Sequence, residues 1–364
     1  MKARKYQKGL SIIELMVALL LGLFLVSGVT GMYISSKQTY RMTDNLSRLQ
    51  ENLRFSLELM SKDIRMAGYM PCRYSGDHDY EVINGDTTWF LDFFDYGIQG
   101  YEGGASFPST LPVVGPNPGQ RMSNDDDAIA ILKGSVYSAS IAFNNNTTGR
   151  FTLQDTFPTG EFETGDIAIA CDPNKATLFQ ISSSISSTGT PAAGAINYNT
   201  NSGIAPGNYT ANLQDYGQDA QITKYEPVIY YIARSNNDPT VSSLWRNYYV
   251  AENISGTETA TMWREELLEG VESMQILYGE DTLNDDQIVD RYVTADNVSD
   301  WLNVVTVRLG LLMVTAEEVT AQPDTNTYNV AGTSISDSTP ISHPADNKLR
   351  YVVNTTINLR NRVR

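Results

Sequence analysis

Residues 8 to 28 read KGLSIIELMVALLLGLFLVSG, a long apolar run with one carboxylate, Glu14, near its start, and this stretch decides the fold. An ionisable group inside a bilayer costs a few kcal/mol at least, so a carboxylate there is a functional residue whose partner must be found. Lys2, Arg4, Lys5 and Lys8 precede the run and place that end in the cytoplasm by the positive-inside rule. Between Leu10 and Ile34, Glu14 is the only charge. These twenty-five residues, rising about 1.5 Å each, can cross a hydrocarbon core of about 30 Å, whereas a secretory h-region spans only about 7 to 15 residues. No small-x-small cleavage site follows. An uncleaved signal anchor accounts for the run but not for Glu14 or the Lys8-Gly9 boundary.

Past Ile34 the chain turns polar and keeps a helical period. Met42, Leu46, Leu49, Leu53, Leu57, Met60 and Ile64 recur every three or four residues as one apolar stripe. Asp44 with Arg48 and Glu58 with Lys62 add pairs four residues apart. No Gly or Pro interrupts residues 35 to 67, and Gly68 and Pro71 then stop the helix. The spacing predicts one helix over about 10 to 67, roughly 85 Å long, with Gly22, Gly28 and Gly31 permitting close helix approach in its apolar half.

After Pro71 the period changes to two. Leu349, Tyr351, Val353, Thr355, Ile357 and Leu359 share one face of a strand whose other face carries Arg350, Asn354, Thr356, Asn358 and Arg360. Val305, Val307, Leu309, Leu311 and Met313 define a second strand face. Further strands are predicted at 128–132, 150–153, 166–170, 177–181, 227–233, 243–250 and 271–278. Only Met262 to Leu268 reads as a short helix, and residues 182–221 and 321–346 read as long polar loops. The predicted class is α+β: a long N-terminal helix packed on a mainly antiparallel sheet, with a subdomain inserted between about 75 and 220.

Charge divides unevenly. Residues 1 to 71 hold ten Lys and Arg against five acids, +5, leaving sixteen against thirty-seven, −21, for the rest and −16 overall. So acidic a surface repels a nucleic-acid backbone and excludes that partner. The two cysteines, Cys72 and Cys171, favour a disulfide in an exported chain, with two buried free thiols as the other reading. Together with the two histidines, His78 and His343, they make no metal-ligand cluster. No phosphate loop, nucleophile elbow or HExxH appears, so no catalytic residue is assigned and no cofactor is expected. The weak calcium candidate is the acidic run Asp281, Asn284, Asp285, Asp286 and Asp290, which follows Glu280 and departs from an EF-hand by lacking its Gly. A solvated acidic turn is the simpler reading. Asp125, Asp126 and Asp127 read as an exposed loop, and Trp89, Phe90, Phe93, Phe94, Tyr96 and Tyr101 as a local core.

The basic leader, Gly9, Leu10, Ser11, Ile12, Ile13 and Glu14 together resemble the class III signal of type IV pilins. That resemblance implies cleavage by a prepilin peptidase after Gly9, N-methylation of Leu10, and Glu14 as an assembly contact. Leu stands at position 10 where the family more commonly has Phe. It also implies the type IV pilin fold, divided into a leader at 1–9, a membrane and filament-core half-helix at 10–34, an amphipathic half at 35–71, and a β-rich periplasmic domain at 72–364. KDIRMAGYMPC at 62–72, GDIAIACDPNKATLFQIS at 165–182, LEGVESMQILYGED at 268–281 and WLNVVTVRLGLLMVT at 301–315 extend the likeness to PilW-type minor pilins. The implied partners are other minor pilins, the major pilin and a tip adhesin, first in the inner membrane and then at the tip of an extracellular pilus serving adhesion and twitching motility. A GspJ-type minor pseudopilin of type II secretion is the alternative, and a signal-anchored periplasmic enzyme or binding protein the more distant one.

Overall fold

The computed structural model describes residues 11–72, 79–84, 97–103, 115–123, 125–188, 193–200, 203–283 and 286–361. One helix, Ile12–Arg65, joins the apolar and amphipathic segments without a break. Met66 caps its end through its N–H to the carbonyls of Lys62 and Asp63. Gly68 then adopts a φ of +70° and donates its N–H to the Leu132 carbonyl at 2.8 Å, which turns the chain onto the sheet. From Ile12 to Ile34 every residue except Gly22 is exposed, so this half packs against nothing else among the described residues. Along the stripe, Leu49, Leu53, Met60 and Ile64 are buried and Leu57 packs against them, while Met42 stays 39% exposed.

Three larger sheets and one two-stranded ribbon carry the rest of the described residues. The six-stranded sheet orders Ile204–Ala205, Thr257–Glu269, Ser242–Ile254, Val228–Arg234, Ala128–Ile131 and Ile98–Tyr101. The four-stranded sheet orders Arg291–Val293, Val271–Glu280, Val304–Val314 and Arg350–Asn358. Both bury residues in one core with the helix. The eight-stranded sheet, from Asp79–Glu81 to Gln221–Tyr225 in the chain, lies on the other face of the six-stranded one. Val228–Arg234 shows why its run VIYYIA is continuously apolar: Val228, Tyr230 and Ile232 face the helix while Ile229, Tyr231 and Ala233 face the eight-stranded sheet. All named strand pairs are antiparallel except 79–81 with 175–180 and 204–205 with 257–269.

Several expectations need correction. Met262 to Leu268 is not helical but part of the strand Thr257–Glu269, paired along its length with Ser242–Ile254. The turn between these strands places Ser255 and Gly256 at φ +54° and +88°, and Arg246 pairs with Glu265 across the strands at 2.6 Å. Residues 182–221 are not one loop, because Ser183–Thr188 pairs with Ala193–Asn197; serine, threonine and small residues fit this tightly stacked ribbon, where a Cβ on Gly194 would lie 2.7 Å from the Phe157 ring. Residues 321–346 contain the hairpin Tyr328–Val330 and Thr333–Ile335, whose Val330 and Ile335 pack on Leu312 across the outer face of the four-stranded sheet. Along Val304–Val314 the inward face holds Val307, Leu309, Leu311 and Met313, but a register shift near Glu280 turns Val304 rather than Val305 into the core. Asp126 and Asp127 are buried, not exposed. On the last strand Arg350 is buried and Tyr351 is 42% exposed, the reverse of the predicted faces at that end. Tyr101 is buried; Trp89, Phe90, Phe93, Phe94 and Tyr96 lie outside the described residues.

Candidate functional site

The first site residue stands on the exposed half of the helix. Ser11 accepts the Ile13 N–H on Oγ at 3.3 Å, and Glu14 Oε2 accepts the Ser11 backbone N–H at 3.0 Å. This reciprocal capping box satisfies N-terminal donors that otherwise have no helical partner, and its negative charge opposes the positive end of the helix dipole. The S-x-x-E signature of such a box stands in SIIE, residues 11 to 14, and Glu14 considered only as a charge conceals it. Gly9 and Leu10 lie outside the described residues.

At the other end of the helix, Asp63 occupies the buried face between Met60 and Ile64. Its Oδ2 accepts the Tyr230 phenol at 2.6 Å and its Oδ1 meets Lys133 Nζ at 3.1 Å, while Lys133 also reaches Glu226 at 3.3 Å. Burial and then the Asp63 charge push the Tyr230 phenol upward, which keeps it a donor. A buried carboxylate needs such partners, and together they fix the rotation of the helix on the six-stranded sheet.

Just beyond, Cys72 and Cys171 form a disulfide with Cα atoms 5.8 Å apart, tying the chain after the helix to the strand Ile167–Asp172. The bridge spans 99 residues, a loop long enough for the cross-link to constrain the unfolded chain strongly. Cys72→Ser is expected to lower stability by about 2 to 4 kcal/mol, read as a fall in the denaturation midpoint that reducing agent reproduces in the parent chain.

Of the acidic run, Asp281, Asp286 and Asp290 are described, while Asn284 and Asp285 lie outside the described residues. Asp281 Oδ2 accepts the Gln287 N–H at 2.7 Å, Asp286 Oδ1 that of Ile288 at 3.0 Å, and Asp290 Oδ2 those of Thr282 at 2.7 Å and Leu283 at 2.9 Å. Among the described residues no group of three His, Cys, Asp or Glu side chains is gathered as a preformed metal site.

Residues 229–361 match the family model of Type IV Pilus-assembly protein W, and residues 4–30 match the prokaryotic N-terminal methylation motif. No curated protein and no solved structure matches the chain. The first match runs from the strand Val228–Arg234 through the last strand and so covers much of the surface on which the helix docks; the eight-stranded sheet precedes it. The methylation motif on a long apolar helix, with that match on the antiparallel sheets behind it, is consistent with a type IV pilin-like α+β fold whose C-terminal region is similar to the PilW family.

Proposed function

We propose that the chain is a minor pilin, cleaved after Gly9, methylated at Leu10, and incorporated in or at the tip of a type IV pilus. The observation that carries this is the methylation motif on a helix whose described apolar half is exposed at every residue but Gly22. Apolar side chains such as Leu19, Leu23, Phe24 and Leu25 need a non-aqueous neighbour: the inner membrane before assembly and the helices of other pilins after it. Cleavage creates an ammonium at Leu10, four residues before Glu14. The Glu14 carboxylate then has a cation in reach, its own or an adjacent subunit's, and pairing offsets the cost of placing either charge in a low dielectric. The sheets behind the helix contact other minor pilins, and a tip adhesin is the further partner.

Mass spectrometry of the N-terminal peptide from membranes tests processing: a start at methylated Leu10 is expected, and an intact Met1 overturns the reading. Glu14→Ala is expected to be cleaved normally yet to fall at least about tenfold in sheared pili, since the assembly contact is lost, together with the cap on Ser11. A deletion strain with normal pili and twitching but failed enzyme secretion would assign the chain to a type II secretion pseudopilus instead.

A further inference from the structure

The end of the helix and the domain behind it meet at a lysine set between two carboxylates. Lys133 Nζ lies 3.1 Å from Asp63 Oδ1 and 3.3 Å from Glu226 Oε2, and the lysine and aspartate side chains are only 13% and 6% exposed. Backbone contacts hold all three in place. The Glu226 N–H donates to the Lys133 carbonyl at 2.8 Å, which sets these two side by side, and the Gly68 N–H donates to the Leu132 carbonyl at 2.8 Å, which holds the end of the helix against the same segment. Tyr230 donates its phenol to Asp63 Oδ2 at 2.6 Å, so the far oxygen of the carboxylate carries a hydrogen bond while the near one faces the amine. A void of about 10 Å³, lined in part by Tyr69, Leu132, Lys133 and Tyr225, adjoins the lysine and has room for about one water.

We propose that Lys133 and Asp63 condense to an intramolecular amide, a covalent bond between helix and domain, with Glu226 as the proton carrier. Glu226 takes one proton from the Lys133 ammonium, and the freed nitrogen lone pair forms a bond to Asp63 Cγ. Negative charge collects on Oδ2, where the Tyr230 phenol stabilises it. Oδ1 then leaves as water, with the proton held by Glu226 and a second proton from the nitrogen, and Oδ2 remains as the amide carbonyl. Glu226 ends as it began, and no oxidant, reductant or further reactant enters. Two physical effects favour the step. Contact between the reacting groups replaces a chance encounter, an advantage equivalent to concentrations of about 10⁵ M or more where the geometry is productive. An uncharged amide also removes the cost of keeping an ammonium and a carboxylate away from water. The inference rests on this buried triad and not on the pilin reading, and its test involves no pilus.

The test incubates the folded full chain in detergent micelles at neutral pH, then reduces, denatures and digests it with trypsin for mass spectrometry. The expected product is a branched peptide in which residues 63–65 are joined to 122–150, uncut after Lys133 and lighter than the two peptides together by one water. Glu226→Gln keeps the size of the side chain but cannot take the proton, and is expected to slow formation by about a hundredfold or more. Lys133→Arg is expected to give no branched peptide. Free peptides 63–65 and 122–133 as the only products of the parent chain overturn the proposal, as does a parental rate in Glu226→Gln. The parent chain decides even where a variant fails to fold.

Discussion

Raising the pH from about 4 to about 8 is expected to cost the folded protein several kcal/mol of stability, the opposite of what carboxylate-rich surfaces usually do. The source is the joint between the six- and four-stranded sheets, just before the strand Ala128–Ile131. There Asp126 Oδ1 accepts the Met274 N–H at 3.2 Å, Asp127 Oδ2 accepts the Ile276 N–H at 2.7 Å, and Asp127 Oδ1 accepts that of Gly103 at 3.0 Å. These carboxylates take the place of a neighbouring strand along an edge that Arg291–Val293 covers only from Tyr278 onward. Burial raises Asp126 from the ordinary 3.8 to about 6; burial and then the Glu102 charge raise Asp127 to about 8, against the pull of the backbone donors. Both values lie above those of the unfolded chain, so the folded state binds more protons. The stabilisation is complete below pH 4 and is lost as pH rises through 6 and 8. A tenfold difference in proton affinity between the folded and unfolded chain is worth about 1.4 kcal/mol, which makes Asp127 the larger contributor. Glu280, Asp324 and Asp346 are shifted downward and act oppositely, but only as pH falls below the ordinary carboxylate range. Urea midpoints of the full chain at pH 5, 6.5 and 8 check this. Asp127→Asn should flatten most of the slope, and an unchanged slope in that variant would place its origin elsewhere.

How much of this is readable from sequence depends on which distances the signal spans. The helix is legible almost to the residue, since its stripe, the single charge in its apolar run and its Gly68 stop are all local; Ile12–Arg65 replaces 10 to 67. The strands at 228–234, 271–280 and 304–314 are legible from apolar alternation or continuity. Polar sequence in buried positions is what misleads. MWREELL carries a helix-like spacing, but its conformation is set by register against Ser242–Ile254, a partner that no local window contains. The three aspartates at 125–127 look like solvent-facing turn residues because nothing nearby in sequence announces Met274 and Ile276 as their donors. Asp63 is hidden for the same reason: Tyr230 and Lys133 lie 167 and 70 residues further along the chain. Glu14 stands out by its charge alone, and its role in the capping box becomes visible only together with Ser11.

Replacing Arg350 should be the most damaging single change in the C-terminal region. Its side chain is fully buried, with a forked contact to Glu272 at 2.6 Å from Nε and 2.9 Å from Nη2, and with Nη1 on Asp346 at 2.7 Å and Asp324 at 3.3 Å. Burial alone would lower the guanidinium, but the hydrogen bonds from Glu272 and Asp346 outweigh it and hold the cation well above its ordinary value. One cation thus joins the strand Val271–Glu280 to both ends of the polar segment that covers the outer face of the four-stranded sheet. The Asp324 N–H donates to the Asp346 carbonyl at 2.7 Å, and Tyr328 donates to Asp324 at 2.9 Å, so the hairpin at 328–335 depends on the same anchor. Arg350→Met keeps the length of the side chain but leaves three partly or fully buried carboxylates without a cation, at a cost of about 3 to 5 kcal/mol. Arg350→Lys restores the charge but not the planar fork, and should recover only part of the loss. Denaturation midpoints give the order parent, Arg350→Lys, Arg350→Met. Limited proteolysis separates the cause: release of the anchor predicts early cleavage between about residues 316 and 349, before the helix or the eight-stranded sheet is attacked. If Arg350→Met matched the parent in both measurements, the covering segment would be held by the Leu312, Val330 and Ile335 contact instead, and the ionic cluster would contribute little.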